Sequence, residues 1–342
     1  MSAPRNTKDA SPAWPTPGSS HDAALGALLG ALAGDAAGAP LEMRPGVPTP
    51  EEVDRAMRFQ GGGVWMVAPG QVTDDGELTM CLLQALAEQG GYSPDQVAGW
   101  YGRWLRSEPF DIGNATSSGL APALTHAEDD PTGLAELMMT AARARNLTSK
   151  ANGSLMRCSP LGVWGHRLDA DALAVIARTD SSLTHPNPSC GDAVAAYTIA
   201  IAALVRVPGD RSGAFASARV WADREACDEV RGWLDDAEGA RKPAFSPKAG
   251  FVRIAFTEAF RHLLLGTAWD LAVRETLLSG GDTDTNACIV GGLVGAAAGV
   301  HSMPVKAREA VILSDHALGR ARPEWVHPRG VRGAVARVMG IG

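Results

Sequence analysis

Two stretches of small residues decide the fold: GALLGALAGDAAG at residues 26–38 and ACIVGGLVGAAAG at residues 287–299. Small residues recur at every fourth position, at Gly26, Gly30, Gly34 and Gly38 in the first stretch and at Ala287, Gly291, Gly295 and Gly299 in the second. This spacing places each set on one helix face, where a neighbouring backbone can approach closely. Because a glycine inside a helix costs about 1 kcal/mol relative to alanine, so many glycines need a packing reason. The sequence therefore predicts two central helices with close contact faces.

The composition of the whole chain also favours helices. Of its 342 residues, 45% are hydrophobic, which is enough to bury a core, while only 6% are aromatic. Strand sandwiches rely on aromatic and β-branched pairs, which this chain lacks in quantity. Helical patterns follow one another from about Leu78, and no strand alternation interrupts them. The predicted fold is all-α: a single compact domain of roughly a dozen helices over residues 21–342.

Two segments are predicted to lie outside the helices. Residues 1–20 are polar and rich in proline without an apolar signal-like run, so we expect a disordered tail. Residues 44–72 carry prolines and paired glycines around at most one short helix, which is typical of a loop reaching over a site. No later run is long and uncharged enough to span a bilayer, so the predicted location is the cytoplasm.

The net charge and the cysteines argue against several kinds of binding site. The formal net charge of -7 argues against a broad basic face for nucleic acid. The five cysteines are widely separated and contain no C-x-x-C pair, which indicates neither a disulfide framework nor a structural zinc site. We expect a monomer that binds neither membrane nor nucleic acid.

The first acidic motif is TDDGE at residues 73–77, placed just before the helix that begins near Leu78. Adjacent carboxylates at this position can simply cap a helix and interact favourably with its dipole. This motif alone does not decide between a cap and a functional site.

The second acidic motif is SGGDTDTN at residues 279–286, directly before the second glycine-rich stretch. Its D-x-D-T pattern supplies the carboxylates of Asp282 and Asp284 and the hydroxyl of Thr285, which are hard oxygen ligands suited to Mg²⁺, Mn²⁺ or Ca²⁺. Four aspartates in one site would repel each other without cations. The hypothesis is therefore that both motifs converge on a pair of divalent cations, and the alternative is two unrelated helix caps.

Two further segments carry weaker signals. The run NGSLMRCSP at residues 152–160 forms a turn whose backbone N–H groups can receive phosphate oxygens, although the same letters describe an ordinary loop. The run THPNP at residues 184–188 presents His185 on a rigid loop, and a lone histidine is more often structural than catalytic. Cys190 lies near in sequence, but no G-x-S-x-G elbow is present, so we do not predict nucleophilic catalysis.

Taken in order, these motifs resemble the ADP-ribosylglycohydrolase family. The matching pieces are GALLGALAGDAAGAPLE at 26–42, TDDGELTM at 73–80, DIGNAT at 111–116, NGSLMRCSP at 152–160, THPNP at 184–188 and SGGDTDTNA at 279–287. They cover most of the chain between residues 23 and 300. The resemblance implies an orthogonal bundle of helices and an enzyme that removes ADP-ribose from modified macromolecules with two divalent cations, Mg²⁺ or Mn²⁺.

The resemblance also implies roles for individual residues. The implied metal ligands are Thr73, Asp74, Asp75, Asp282, Asp284 and Thr285. Glu42 matches the family glutamate above the metal site, and Asp111 matches an acidic residue that assists proton transfer. Asn152, Gly153 and Ser154 would line the pyrophosphate and distal ribose, and His185 the pocket wall. Gly76 departs from the family pattern, because many relatives have threonine or serine there.

The resemblance favours one of several possible linkages between ADP-ribose and its carrier. DIGNAT at residues 111–116 looks more like the arginine-directed branch of the family, so ADP-ribosyl-arginine on a protein is the first choice. The alternatives are serine-linked ADP-ribose, O-acetyl-ADP-ribose and ADP-ribosylated nucleic acid. Two rivals belong to other classes: a catalytically silent ADP-ribose-binding protein, and a metal-dependent phosphohydrolase that would cut the pyrophosphate.

Overall fold

The two glycine-rich stretches form neighbouring helices at the centre of the protein, in a computed structural model that describes residues 13–341. They are α1 (Ser20–Gly38) and α14 (Thr283–Ala298). Gly26 packs on Gly295 and Gly30 on Gly291, so the two helices run antiparallel. A Cβ atom added at Gly30 would collide with the carbonyl oxygen of Gly291. The predicted contact faces are confirmed, and each is the other's partner.

Fourteen more α-helices surround this pair, and the described residues contain no β-strand. They are α2 (Pro50–Ala56), α3 (Asp74–Gln89), α4 (Pro94–Arg106), α5 (Asn114–Leu120), α6 (Leu134–Asn146), α7 (Ser159–Trp164), α8 (Ala170–Ser182), α9 (Pro188–Arg206), α10 (Arg211–Glu225), α11 (Asp228–Glu238), α12 (Val252–Leu265), α13 (Trp269–Leu278), α15 (Val305–Ile312) and α16 (Val331–Met339). The all-α prediction is confirmed, and the total of sixteen within residues 13–341 is slightly above the predicted dozen.

The additional helices have local causes. The sequence pattern over 211–236 predicts one helix, but the structure has two. Ala226 takes an extended backbone conformation, and Asp228 and Glu229 lie in the first turn of the second helix. Helix α16 follows a stretch broken by Pro323 and Pro328, where no helix was predicted. The predicted loop over 44–72 contains one short helix, α2, as expected.

Two helices match a membrane span in length and hydropathy: Ser20–Leu41 and Pro188–Arg206, with mean hydropathy of 1.4 and 1.5. In each, 94% of the apolar window is buried inside the fold. Both are therefore core helices of this structure.

Part of the predicted N-terminal tail contacts the helices. Residues 1–12 of the predicted tail lie outside the described residues. The Trp14 indole packs edge-on to His301, with ring centroids 6.4 Å apart. The Cζ atoms of Arg308 and Arg332 lie 4.7 Å and 4.4 Å from the centroid of the Trp14 ring. Packing against the bundle therefore already includes Trp14.

The close approach of α1 and α14 leads to a stability prediction. Gly30→Ala is expected to lower the free energy of unfolding by about 3 kcal/mol, because the methyl group must push two backbones apart. Gly232 on α11 is the matched control, since an added Cβ there meets no described atom within 4 Å. Gly232→Ala is expected to be neutral or to stabilise by up to about 1 kcal/mol. Urea unfolding followed by circular dichroism measures both, and equal effects would contradict the packing argument.

Candidate active site

Three helix ends meet at the site. The last turn of α1 rests on the first turn of α14, where the Thr283 hydroxyl donates a hydrogen bond to the Gly38 carbonyl oxygen at 3.0 Å. A Cβ atom at Gly38 would collide with the backbone of Asp284. Helix α3 begins at Asp74, directly after Thr73. The glycine stripe therefore allows the second acidic motif to approach the end of α1.

The two acidic motifs converge as the sequence predicts. The Thr285 hydroxyl lies 3.5 Å from Asp75 Oδ2. Carboxylate oxygens of Asp35, Asp75 and Asp284 lie within 4.8 Å of one another, and so do those of Glu42, Asp111 and Asp284. Asp284 belongs to both sets. The alternative of two unrelated helix caps is therefore wrong.

Asp35 on α1 was not predicted as a site residue, and it organises the first acidic motif. Its carboxylate accepts hydrogen bonds from the Thr73 N–H at 3.0 Å, from the Thr73 hydroxyl at 2.9 Å and from the Gly76 N–H at 2.9 Å. The Thr73 hydroxyl also lies 3.2 Å from Asp75 Oδ2. The signal in the sequence is a single carboxylate within an otherwise apolar stretch of small residues, and the structure buries it fully.

The contacts of Asp35 also account for Gly76. A Cβ atom at Gly76 would lie 2.7 Å from Asp35 Oδ2 and 2.6 Å from Val72 Cβ. Threonine or serine at this position would displace one of these groups. In this chain the glycine preserves the Asp35 hydrogen bonds to the first acidic motif.

The carboxylates repel one another in a buried place. Burial raises the pKa of Asp74, Asp75 and Asp284 well above the ordinary range, and the neighbouring carboxylates raise it further. Burial likewise raises the pKa of Asp35 and Asp111 to about 8. Asp75 Oδ1 is buried without a hydrogen-bond partner among the described residues. These oxygens could hold a metal ion, which would offset the repulsion.

The raised pKa values predict how stability depends on pH in EDTA. Because the pKa of Asp35 and Asp111 is about 8 in the folded state and about 4 in an unfolded chain, the folded state binds more protons in this interval. The melting temperature is therefore expected to fall as pH rises from about 5 to about 8. Added Mn²⁺ is expected to flatten this slope, because a cation favours the ionised carboxylates. Differential scanning fluorimetry measures the melting temperature at each pH. A melting temperature that rises with pH in EDTA would contradict this prediction.

Glu42 lies at the wall of the site, just after the short turn that continues α1. Its carboxylate accepts a hydrogen bond from the Trp65 indole N–H. Burial raises the pKa of Glu42. The Trp65 ring lies 6.1 Å from the ring of Phe110, which precedes Asp111. The loop over 44–72 therefore reaches the site, as predicted, and Trp65 is a second residue that was not predicted.

A cavity of about 300 Å³ opens above these carboxylates. Its lining includes the predicted residues Glu42, Asp74, Asp111, Asn152, Gly153, His185, Asp284 and Thr285. The Asn152 amide donates to Asp282 Oδ2 at 2.9 Å and so joins the turn at 152–160 to the second acidic motif. The structure therefore gathers residues from all six matching pieces around one cavity.

Ser154 and His185 differ in their placement. The Ser154 side chain is fully buried, and its hydroxyl accepts a hydrogen bond from Ser181 at 2.9 Å. The prediction that Ser154 lines the ligand pocket is therefore wrong for its side chain, which braces the turn from behind. Burial, and then the charge of Arg157, lowers the pKa of His185 to about 3, so its imidazole is neutral.

A third group of possible ligands has a different character. Glu258, His262 and Glu275 also place ligand atoms within 4.8 Å of one another. Arg261 forms ion pairs with Glu258 at 2.8 Å and with Glu275 at 2.6 Å. Because a guanidinium already offsets these carboxylates, this group is an ion-pair network.

Comparison with known proteins decides the family. A family model described as ADP-ribosylglycohydrolase matches residues 16–327. The chain belongs to the ADP-ribosylglycohydrolase family. The resemblance inferred from the motifs is confirmed, and the protein is an ADP-ribosylglycohydrolase.

Individual relatives of this glycohydrolase agree with the assignment. The ADP-ribosyl-[dinitrogen reductase] glycohydrolase of Rhodospirillum rubrum is 26% identical over 290 residues, covering 83% of this chain and 88% of its own. The ADP-ribosylarginine hydrolase Tri1 of Pseudomonas putida (strain GB-1) is 31% identical over 183 residues, covering 50% of this chain and 43% of its own. A solved structure titled "ADP-ribosylglycohydrolase-related protein complex" shares the fold, with a TM-score of 0.72, 24% identity and coverage of 94% and 98% of the two chains.

Proposed function

We propose that this glycohydrolase cleaves the C1″ glycosidic bond of ADP-ribose attached to arginine side chains of proteins, with two divalent cations, Mg²⁺ or Mn²⁺. The observation that carries the proposal is the convergence of the two acidic motifs on one cavity, with Asp284 common to both sets of carboxylates. The arginine linkage is supported by DIGNAT at residues 111–116 and by the name of the Pseudomonas putida relative, ADP-ribosylarginine hydrolase.

The residues fit such cations. All the donors are hard oxygens, and the unpaired, buried Asp75 Oδ1 lacks any other partner among the described residues. The ligands we assign are Thr73, Asp74, Asp75, Asp282, Asp284 and Thr285. Bound cations supply positive charge that offsets these carboxylates and lowers the pKa of a coordinated water. The Thr73 hydroxyl already contacts Asp35, which makes Thr73 the ligand most constrained by its surroundings.

Glu42 and Asp111 are the groups we assign to proton transfer. Cleavage at C1″ builds positive charge on the ribose and requires a proton for the departing nitrogen. Both side chains line the cavity, and burial raises the pKa of each. The pKa of Asp111 reaches about 8, so Asp111 can hold a proton near neutral pH. The hydrogen bond from Trp65 fixes the Glu42 carboxylate in place.

We assign Asn152, Gly153 and His185 to binding of the ADP-ribose. Asn152 and Gly153 line the cavity, and we assign this turn to the pyrophosphate. Because the Asn152 N–H already donates to the Gly250 carbonyl oxygen at 3.1 Å, the backbone donor we assign is that of Gly153. The neutral His185 ring packs beside Gly153, where an added Cβ would lie 2.8 Å from its Cε1, and forms a wall. A monomer located in the cytoplasm remains our expectation for this enzyme.

The linkage is tested with two peptides, one carrying ADP-ribosyl-arginine and the other ADP-ribosyl-serine. Each is incubated with Mg²⁺, Mn²⁺ or EDTA, and free ADP-ribose is followed by chromatography. We expect release from the arginine peptide only, and only with a cation. Release from the serine peptide alone would overturn the arginine assignment, and AMP as the product would indicate a phosphohydrolase. Binding without release of either product would indicate a silent ADP-ribose reader.

A further inference from the structure

We propose that a second cavity, on the outer side of Glu42, binds the polypeptide segment that flanks the modified arginine. This inference rests on the proposed function and extends it to the carrier protein. The segment that we assign to this cavity is apolar. We use the name apolar collar for three exposed side chains: Met43 and Val64, which line the cavity, and Met66, which directly follows Trp65.

Glu42 lies between the second cavity and the candidate active site, because it lines both cavities. The second cavity has a volume of about 470 Å³ and is lined by Pro40, Leu41, Met43, Ala56 and Val64 among others. Glu42 is the one lining residue that it shares with the cavity above the acidic motifs. If Glu42 serves the bond between ribose and leaving group, the ADP-ribose fills one cavity and the leaving side chain points to the other. The polypeptide that bears this side chain must then pass over the second cavity.

The collar is exposed by a strained backbone. Met43 and Met66 are 70% and 72% exposed, and Val64 is 57% exposed. Both methionines have left-handed backbones, with φ of 54° and 53°. Such conformations are costly for residues other than glycine and concentrate at functional sites. Each methionine directly follows a member of the hydrogen-bonded Glu42–Trp65 pair, so the same backbone turns the pair inward and the methionines outward.

The chemistry of the cavity favours polypeptide over nucleic acid. Its lining is aliphatic at Leu41, Ala56 and Val64. Of its two arginines, Arg44 is paired with Glu52 at 3.0 Å, and Arg55 is the one cationic side chain of the lining without an ion pair among the described residues. Phosphate recognition would need several unpaired cationic groups along the rim. Methionine side chains are flexible and polarisable, and they adapt to apolar side chains of different shapes. The collar therefore suits a segment with apolar residues beside the modified arginine.

The test compares three substrates: free ADP-ribosyl-arginine, and two octapeptides with a central ADP-ribosyl-arginine flanked either by Leu and Val or by Ser and Gly. The variant is Met43→Asn/Met66→Asn, because asparagine tolerates the left-handed region and removes the apolar surface. Val220→Asn on α10 is the control, since Val220 is also an exposed apolar residue, at 62%. KM and kcat are measured for each, together with Kd by fluorescence anisotropy.

For the wild type and the control, KM and Kd are expected to be about tenfold lower for the Leu/Val peptide than for the Ser/Gly peptide. In the double variant this difference disappears, while kcat and the KM for free ADP-ribosyl-arginine stay the same. Equal Kd values for the two peptides with wild type, or an equal loss on all three substrates in the variant, overturn the proposal. Tighter binding of ADP-ribosylated DNA, or a wild-type dimer that the variant loses in sedimentation, also overturns it. If no substrate is cleaved, the proposed function fails, and the Kd order still decides the docking.

Discussion

Asp284→Asn is expected to lower kcat/KM for ADP-ribosyl-arginine by about 10³-fold and to abolish tight Mn²⁺ binding. The reason is geometric, because Asp284 is the one carboxylate common to both sets of oxygens. Asp284 is buried in the first turn of α14. Replacing it with an amide would remove the charged ligand that the two proposed cation sites share. Release of ADP-ribose and isothermal titration with Mn²⁺ measure the two effects.

Asp270→Asn is the matched control for this change. Asp270 is also an aspartate in the first turn of a helix, α13, but it is exposed to solvent. Its loss removes a favourable interaction with a helix N-terminus and leaves the cavity intact, so turnover and Mn²⁺ binding should match the wild type. An Asp284→Asn enzyme with wild-type activity, or full activity of the wild type in excess EDTA, would rule out the cation-dependent account.

Glu42→Gln is expected to lower kcat by about 10²- to 10⁴-fold while Mn²⁺ binding is retained. The amide oxygen of glutamine can still accept the hydrogen bond from Trp65, so the side chain should keep its position. What is lost is the ability to exchange a proton at the leaving atom. The pH profile of kcat should therefore lose the limb that belongs to Glu42.

Glu51→Gln on α2 is a suitable control, because Glu51 is an exposed glutamate in the neighbouring loop over 44–72. It should leave kcat, KM and Mn²⁺ binding unchanged. If Glu42→Gln removed Mn²⁺ binding and turnover together, Glu42 would be a metal ligand and the division of roles proposed above would fail.

The sequence contains enough local information for the fold class and the central helix pair. The four-residue spacing of Gly26, Gly30 and Gly34 predicts a close contact, but the partner is a property of the folded chain. Their matches, such as Gly291, lie far away in sequence and become partners only through tertiary packing. The sequence does not predict the break at Ala226, because the helical pattern continues across it. It does not predict helix α16 either, because this helix is short and follows a stretch rich in prolines.

The candidate site divides in the same way. Aspartates in contiguous motifs, such as Asp74 and Asp284, are visible because residue type and spacing indicate hard oxygen ligands. Asp35 contacts Thr73, which lies 38 positions away, and Trp65 contacts Glu42, which lies 23 positions away. A local sequence pattern does not predict such distant pairs. Ser154 has the right residue type, but its hydroxyl is bonded to Ser181 behind the turn. Side-chain direction within a turn depends on neighbours that the motif does not contain.

The central claim is that distant acidic motifs share divalent cations within one cavity. The most direct measurement is an anomalous difference map from crystals of the wild-type protein soaked in Mn²⁺. We predict two peaks, each bounded by oxygens from both acidic motifs, with Asp284 contributing to both. Peaks confined to the Glu258, His262 and Glu275 network, or no peak near Asp75 and Asp284 at saturating Mn²⁺, would contradict the claim.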